Sequence, residues 1–225
     1  MTERPSLSEV GAALAEPTRL RILQELLEGT PLPAGALAAR LGLSPSTVSS
    51  HVARLLDARL VSVLSRGRTR LVTIATPEVA EVVEGLLRLS AQPAVTSLTK
   101  HTQRAALREA RTCYDHLAGR LGIAIADLAR EREWVIERDG SLQLIALDHL
   151  EAGLGIALHL AAGKRPEVRG CMDWTERRPH LAGKLGAGLL TAMLQVGWLQ
   201  RRSGDRSLKV TTLGKEHFAT LGIDC

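Results

Sequence analysis

Residues 37–70 read LAARLGLSPSTVSSHVARLLDARLVSVLSRGRTR, and this stretch decides the fold of the N-terminal part of the chain. Apolar residues at helical spacing predict a first helix that ends near Gly42, because glycine tolerates the positive φ of a helix end. Ser44 is placed to cap a second helix, and Pro45 occupies its first position, where a missing N–H costs nothing. The pattern predicts two helices joined by a tight turn.

The second predicted helix, residues 45–58, has an apolar face and a polar face. The residues that recur at helical spacing and predict the buried side are Val48, Val52, Leu55 and Leu56. Small hydroxyl side chains occupy the N-terminal half of the other side. A helix with such a face fits the major groove of DNA.

A basic hairpin is predicted directly after this helix. Residues 60–64 and 71–74 alternate as strands around a turn that contains Gly67. The hairpin carries three arginines, namely Arg66, Arg68 and Arg70. Two helices followed by a basic hairpin are the anatomy of a winged helix-turn-helix, in which the hairpin is the wing.

The distribution of charge supports this interpretation more than its total does. A formal net charge of +5 suits many soluble proteins. However, six arginines lie between residues 40 and 70, against the single acidic residue Asp57. The charge is thus concentrated where a duplex would present phosphate. The alternative is a solvated basic loop on an unrelated fold.

Residues 12–76 resemble the DNA-binding domain of the ArsR/SmtB family of bacterial transcriptional repressors. ALAEPTRLRILQELLEG (13–29) resembles the opening helices of that domain, and LSPSTVSSHVARLLDARLV (43–61) resembles its recognition helix and following strand. One departure is Arg59, at a position where the family often has glycine. The resemblance implies a homodimeric repressor that binds double-stranded operator DNA and is released by a signal.

The resemblance also implies which residues meet DNA. Those on the recognition helix face the groove, and the arginines hold phosphates or the minor groove. The candidate DNA-binding residues are Ser44, Ser46, Thr47, Ser49, Ser50, His51, Arg54, Arg66, Arg68 and Arg70.

The two metal sites best known in this family are absent. The thiolate site lies in the helix before the recognition helix, yet residues 30–40 contain no Cys, His or acidic residue. The second site uses carboxylates and imidazoles on the dimer helix, yet residues 77–92 contain no His. Because zinc and related ions need about four converging donors, neither location can hold an intact site.

The length of 225 residues leaves room for a second domain with its own core. We expect residues 1–92 to form the DNA-binding domain with a dimer helix, and residues 93–225 to form an input or dimerisation domain, with the boundary near 91–95. An apolar stripe predicts the dimer helix, and its residues are Val79, Val82, Val83, Leu86 and Leu87. The alternative is that this stripe packs only on its own domain.

We predict a mainly α fold with small β-hairpins. A helix is expected over residues 98–121 and a hairpin over 134–144, where Asp139 and Gly140 favour a tight turn. LAGKLG (181–186) echoes LAARLG (37–42), and residues 193–216 follow the pattern of 55–78. The second domain is therefore expected to be winged-helix-like but degenerate, because its equivalent of the recognition helix is almost wholly apolar and cannot read bases.

Cysteine usage bears on the signal. Three cysteines, with no apparent signal peptide or apolar membrane span, predict a cytoplasmic protein. The candidate effector or metal residues are Cys113, His116, Cys171, Asp173 and His180. They could hold a metal ion if the two segments meet, act as a thiol-based sensor, or be inert core residues. The tryptophans could line a pocket for an organic inducer, although core packing is the favoured interpretation.

No enzyme is predicted, because the chain has no nucleophile elbow, phosphate-binding loop or dinucleotide motif. The predicted function is sequence-specific regulation of transcription. The alternative is a winged-helix adaptor that binds proteins and not DNA.

Overall fold

The computed structural model describes residues 4–90, 98–202 and 205–225. The chain divides into two compact units, Met1–Leu86 and Leu87–Cys225. The domain boundary predicted at residues 91–95 lies outside the described residues.

The first unit contains a helix-turn-helix and a three-stranded sheet. Its elements are α1 (Leu7–Leu14), α2 (Pro17–Leu26), β1 (Leu32–Pro33), α3 (Ala34–Leu41), α4 (Pro45–Asp57), β2 (Val61–Arg66) and β3 (Thr69–Ile74), followed by α5 (Pro77–Leu89). The sheet order is β1-β3-β2, and all of its pairs are antiparallel. The predicted helices and wing are confirmed, whereas the two-residue strand β1 is too short to show a periodic pattern.

Local signals explain the helix-turn-helix. Gly42 ends α3 with φ of +68°, and the Ser44 side chain accepts a hydrogen bond from the Thr47 N–H at 3.1 Å. Val48 and Leu55 are fully buried beneath α4. Arg66 pairs with Thr69 in the wing, and Gly67 has φ of +59° in the turn between them. Cap, turn and buried face therefore agree with one another, as expected for a well-specified element.

The apolar stripe of α5 is only partly buried. Val83 is 1% exposed, whereas Val82 is 48% exposed and Leu89 is 86% exposed. Apolar side chains are thus left on the surface of this helix in the single chain.

The second unit consists of hairpins that alternate with helices. Its elements are α6 (Leu98–Glu109), β4 (Arg111–Cys113), β5 (His116–Ala118), α7 (Gly119–Glu131), β6 (Val135–Arg138), β7 (Ser141–Leu144), α8 (Leu147–Leu154), β8 (Arg169–Met172), β9 (Pro179–Ala182), α9 (Gly183–Gln195), β10 (Leu199–Arg201), β11 (Leu208–Val210) and α10 (Thr212–Thr220).

The helix predicted over residues 98–121 is wrong. The chain leaves the helix at Glu109, forms the β4–β5 hairpin and starts α7 at Gly119. Tyr114 has φ of +62° and Gly119 has φ of +81°, values that a continuous helix does not allow. The predicted hairpin at 134–144 is confirmed, with Asp139 and Gly140 both at positive φ, as a type I′ turn requires.

The second unit is an internal duplication. RTCYDHLAGRLG (111–122) and RGCMDWTERRPHLAGKLG (169–186) share the pattern R-x-C-x-D followed by HLAGxLG. Each copy forms a hairpin, a helix, a second hairpin and a second helix. The helix α7 packs on β9 and α9 packs on β5, so each copy rests on the hairpin of the other. The packing of the two copies on each other is thus reciprocal.

This duplication corrects one sequence comparison. LAGKLG (181–186) corresponds to LAGRLG (117–122), and in both copies the motif joins a strand to a helix. It does not form a first helix like that of residues 37–42. The pattern predicted for residues 193–216, in which a helix is followed by a hairpin and a last helix, is confirmed.

Two of the three tryptophans occupy matching positions in the two copies. Trp134 and Trp198 follow α7 and α9, are 7% and 6% exposed, and belong to the main core of this unit. These two rings therefore pack the core of the second unit. Trp174 differs, because it lies beneath the guanidinium groups of Arg111 and Arg206, at 5.1 and 5.7 Å from the ring centre.

Candidate nucleic-acid interface and a buried cysteine–histidine cluster

The polar face of α4 is exposed as the sequence predicts. Ser46, Thr47, Ser49 and Ser50 are all exposed near the start of the helix. Ser44 differs in role, because its hydroxyl caps the helix and lies 2.9 Å from the Ser46 hydroxyl and 2.8 Å from that of Thr47. It orders the end of the helix that would enter a groove.

His51 is half-buried rather than exposed. Its Nδ1 atom lies 3.4 Å from a carboxylate oxygen of Glu16. Glu16 also accepts a hydrogen bond from the Arg19 N–H, which fixes the start of α2. The imidazole is therefore held against α2, and any contact that it makes with a base is made from this fixed position.

Four of the arginines that the sequence analysis singled out are exposed. Arg54 lies on α4, and Arg66, Arg68 and Arg70 lie on the wing. They provide a basic surface next to the polar face of α4.

Arg40 belongs to a different environment. Its guanidinium pairs with the carboxylates of Glu25 and Glu28 on the neighbouring segment. The arginine count between residues 40 and 70 therefore overstates the charge available for phosphate. The sequence of residues 40–70 does not reveal these two partners, because they lie 15 and 12 residues before Arg40.

A second site lies within the C-terminal unit, where the two copies of the repeat meet. Cys113 faces His116 across the β4–β5 pair, and Cys171 faces His180 across β8–β9. The donor atoms of these four residues lie within 4.8 Å of one another. The two Sγ atoms are 3.8 Å apart. The sequence suggested these residues, and the fold brings them together.

All four side chains are buried, and each histidine has an aspartate at its Nδ1 atom. The Asp115 carboxylate lies 3.2 Å from Nδ1 of His116, and the Asp173 carboxylate lies 3.5 Å from Nδ1 of His180. Within the described residues, neither Nε2 atom has a hydrogen-bond partner. Two buried nitrogens are therefore available to a ligand.

The charged neighbours of the cluster are paired. Burial works to lower the pKa of His116, but the nearby Cys113 sulfur and Asp115 carboxylate raise this pKa to about 9. Burial also works to raise the pKa of Asp115, but hydrogen bonds from His116 and Arg165 hold it at about 2. The electrostatic environment thus favours a charged Asp115.

Asp173 supports the cluster instead of joining it. Its carboxylate pairs with the fully buried guanidinium of Arg111 at 2.8 Å and accepts hydrogen bonds from the N–H groups of Gly119 and Thr175. Burial opposes its ionisation, but Arg111 holds the pKa of this carboxyl far below its usual range. Asp173 therefore ties the hairpin of one copy to the start of α7 in the other.

Sequence reasoning missed Asp115 and Arg111 as parts of this site. The signal that could have found them is the repeated pattern R-x-C-x-D, which places Arg111 and Asp115 opposite Arg169 and Asp173 in an alignment of the two copies.

Comparison with known proteins identifies the family. A family model described as "Helix-turn-helix domain" matches residues 14–63. The uncharacterized HTH-type transcriptional regulator YdfF of Bacillus subtilis is 36% identical over 216 residues, which cover 95% of this chain and 96% of that protein. The chain belongs to the HTH-type transcriptional regulators.

Other relatives match a smaller part of this regulator. CmtR of Mycobacterium tuberculosis is 40% identical over 84 residues, 37% of this chain and 70% of that protein. The solved structure of HlyU from Vibrio cholerae is 36% identical, covers 38% of this chain and 91% of that one, and has a TM-score of 0.35. None of the helices in residues 4–90, 98–202 and 205–225 combines the length and the apolar character that a membrane span requires.

Proposed function

We propose that this regulator is a homodimeric repressor, which binds operator DNA through α4 and the wing and is released by a signal received in the C-terminal unit. The observation that carries the proposal is the exposed hydroxyl face of α4 beside the exposed arginines of the wing. Groove-facing hydroxyls can bond base edges, and the arginines can neutralise phosphates.

The apolar side chains left exposed on α5 support the proposal of a dimer. Val82 and Leu89 would be covered by the same helix of a second copy, as the resemblance to the family implies. A two-fold dimer places its recognition helices in successive major grooves, with half-sites about 34 to 36 Å apart. The operator should accordingly be near-palindromic.

The wing provides the most direct test. We expect Arg66→Ala with Arg68→Ala to weaken binding to all DNA sequences alike and to lower the salt dependence by about one unit for each lost phosphate contact. Fluorescence anisotropy with DNA from upstream of the regulator's own gene, over a series of salt concentrations, measures both effects.

The matched control is Arg132→Ala with Arg138→Ala, because both are exposed arginines and the same charge is lost outside the first unit. An identical change of salt dependence in the two double variants would remove the wing from the interface. Absence of DNA binding by the wild-type dimer, on any upstream fragment, would favour the protein-binding adaptor.

A further inference from the structure

We propose that Cys113, His116, Cys171 and His180 bind one thiophilic divalent cation of the Zn²⁺ class, in a closed tetrahedral centre that fastens the two copies of the repeat together. This site differs in place and in ligands from the two metal sites that residues 30–40 and 77–92 lack. It also stands independently of the proposed binding to DNA.

The distances fit a tetrahedral ion. Two sulfurs about 2.3 Å from a zinc ion, at the corners of a tetrahedron, lie about 3.8 Å from each other. The Sγ atoms of Cys113 and Cys171 are 3.8 Å apart. The two histidine donors complete a set whose members all lie within 4.8 Å of one another, so a small contraction closes the shell.

The donor chemistry selects the class of ion. Thiolate and imidazole ligands in a tetrahedral S₂N₂ set favour zinc and its relatives, whereas calcium and magnesium require oxygen ligands. Two thiolates and two neutral imidazoles balance the charge of one divalent cation, and the nearby Asp115–Arg165 and Asp173–Arg111 pairs are already neutral. Burying the complete centre is therefore electrostatically acceptable.

The surroundings of the histidines match those of metal ligands. A ligating histidine usually presents its second ring nitrogen to a carboxylate, which fixes the ring and the tautomer. Asp115 takes this position at Nδ1 of His116, and the Asp173 carboxylate lies 3.5 Å from Nδ1 of His180 without a hydrogen bond to it. Nε2 of each ring is left for the ion.

A disulfide between Cys113 and Cys171 explains less. It requires the sulfurs to approach to about 2.05 Å, and it would leave both buried Nε2 atoms without a partner. A metal ion occupies all four donors at once. When the metal binds, each cysteine thiol and the protonated His116 ring release one proton to solvent.

The site can be tested by titrating the reduced, chelator-treated protein with Co²⁺. We expect about one equivalent to bind, with the visible absorption of tetrahedral Co²⁺, a thiolate charge-transfer band and displacement by Zn²⁺. Cys171→Ser and His180→Gln should abolish these signals. The control variants Cys225→Ser and His149→Gln should retain them, since neither residue belongs to the cluster.

A measurement on the wild type keeps the test independent of how the variants fold. X-ray absorption of the zinc-loaded protein should report two sulfurs at about 2.3 Å and two nitrogens at about 2.0 to 2.1 Å. Failure to bind, a shell without sulfur, or loss of the metal in Cys225→Ser would overturn the proposal. So would a wild type that takes up no metal and instead forms a Cys113–Cys171 disulfide on mild oxidation.

Discussion

The two copies of the repeat have different residues at one position with a left-handed backbone, and the effect of this difference on stability can be measured. Both α7 and α9 are followed, after the C-cap residue, by a residue in the left-handed region, which is Glu133 with φ of +55° in one copy and Gly197 with φ of +78° in the other. Helices commonly end in this way, and glycine is the residue that does so without strain. We therefore expect Glu133→Gly to stabilise the protein.

The magnitude follows from two opposing effects. A side chain in the left-handed region costs about 1 to 2 kcal/mol, which the substitution removes. Glycine loses more backbone freedom on folding, which lowers the stability by about 0.5 to 1 kcal/mol. Glu133 is exposed, so little packing is lost. The net gain should be about 1 kcal/mol, or roughly 2 to 4 °C in Tm for a chain of this size.

Thermal and urea unfolding, followed by circular dichroism, measure this gain. The matched control is Glu133→Ala, which removes the same side chain but keeps the strained backbone. Gly197→Ala is the reciprocal variant and should lose about 1 kcal/mol, because a Cβ at Gly197 meets nothing within 4 Å and only the backbone conformation opposes it. Equal stability of Glu133→Gly and Glu133→Ala would refute the reasoning.

Three further outcomes are expected. Gly186→Ala should destabilise the C-terminal unit by more than about 2 kcal/mol in urea unfolding and lower its affinity for Co²⁺. The reason is that the new Cβ would lie 2.4 Å from the Leu181 carbonyl oxygen and 3.1 Å from Cβ of His116. The control variant Gly35→Ala places its Cβ in open space and should cause neither change. Val82→Glu should shift the protein from dimer to monomer in analytical ultracentrifugation, since it places a charge on the exposed apolar face of α5; a variant that stays dimeric would move the interface elsewhere. Ser49→Ala should alter the preference between operator variants by roughly 1 kcal/mol in competition binding, and an unchanged preference would show that this face of α4 does not read bases.

Local chemistry made the first unit predictable. The cap at Ser44, the glycine at position 42 and the apolar spacing of α4 act within a few residues of one another, so the sequence contains all of their causes. The pairing of Arg40 with Glu25 and Glu28 depends on how helices pack, and the sequence interpretation therefore assigned its charge wrongly. Arg59 was noted where the family often has glycine, and its φ of +53° explains that preference.

The second unit was harder to predict for two physical reasons. Ala110, Leu117 and Leu121 are buried, but apolar residues at this spacing occur both in a helix and in a hairpin followed by a helix. The fold brings four of the five candidate ligands together, but their meeting depends on a contact between residues 58 apart in the chain. Residues 181–186 are similar both to residues 37–42 and to residues 117–122, and only the second similarity predicts this contact.

The duplication also sets how the cluster depends on protein concentration. A single copy of the hairpin supplies one cysteine and one histidine, so a chain with only one copy could assemble four donors only by meeting a second chain. With both copies in one polypeptide the second pair of donors is held in place by the same fold, at an effective concentration far above that of the protein in solution. Assembly of the four donors is therefore an intramolecular event and should be unaffected by dilution, even where dilution separates a dimer and releases DNA.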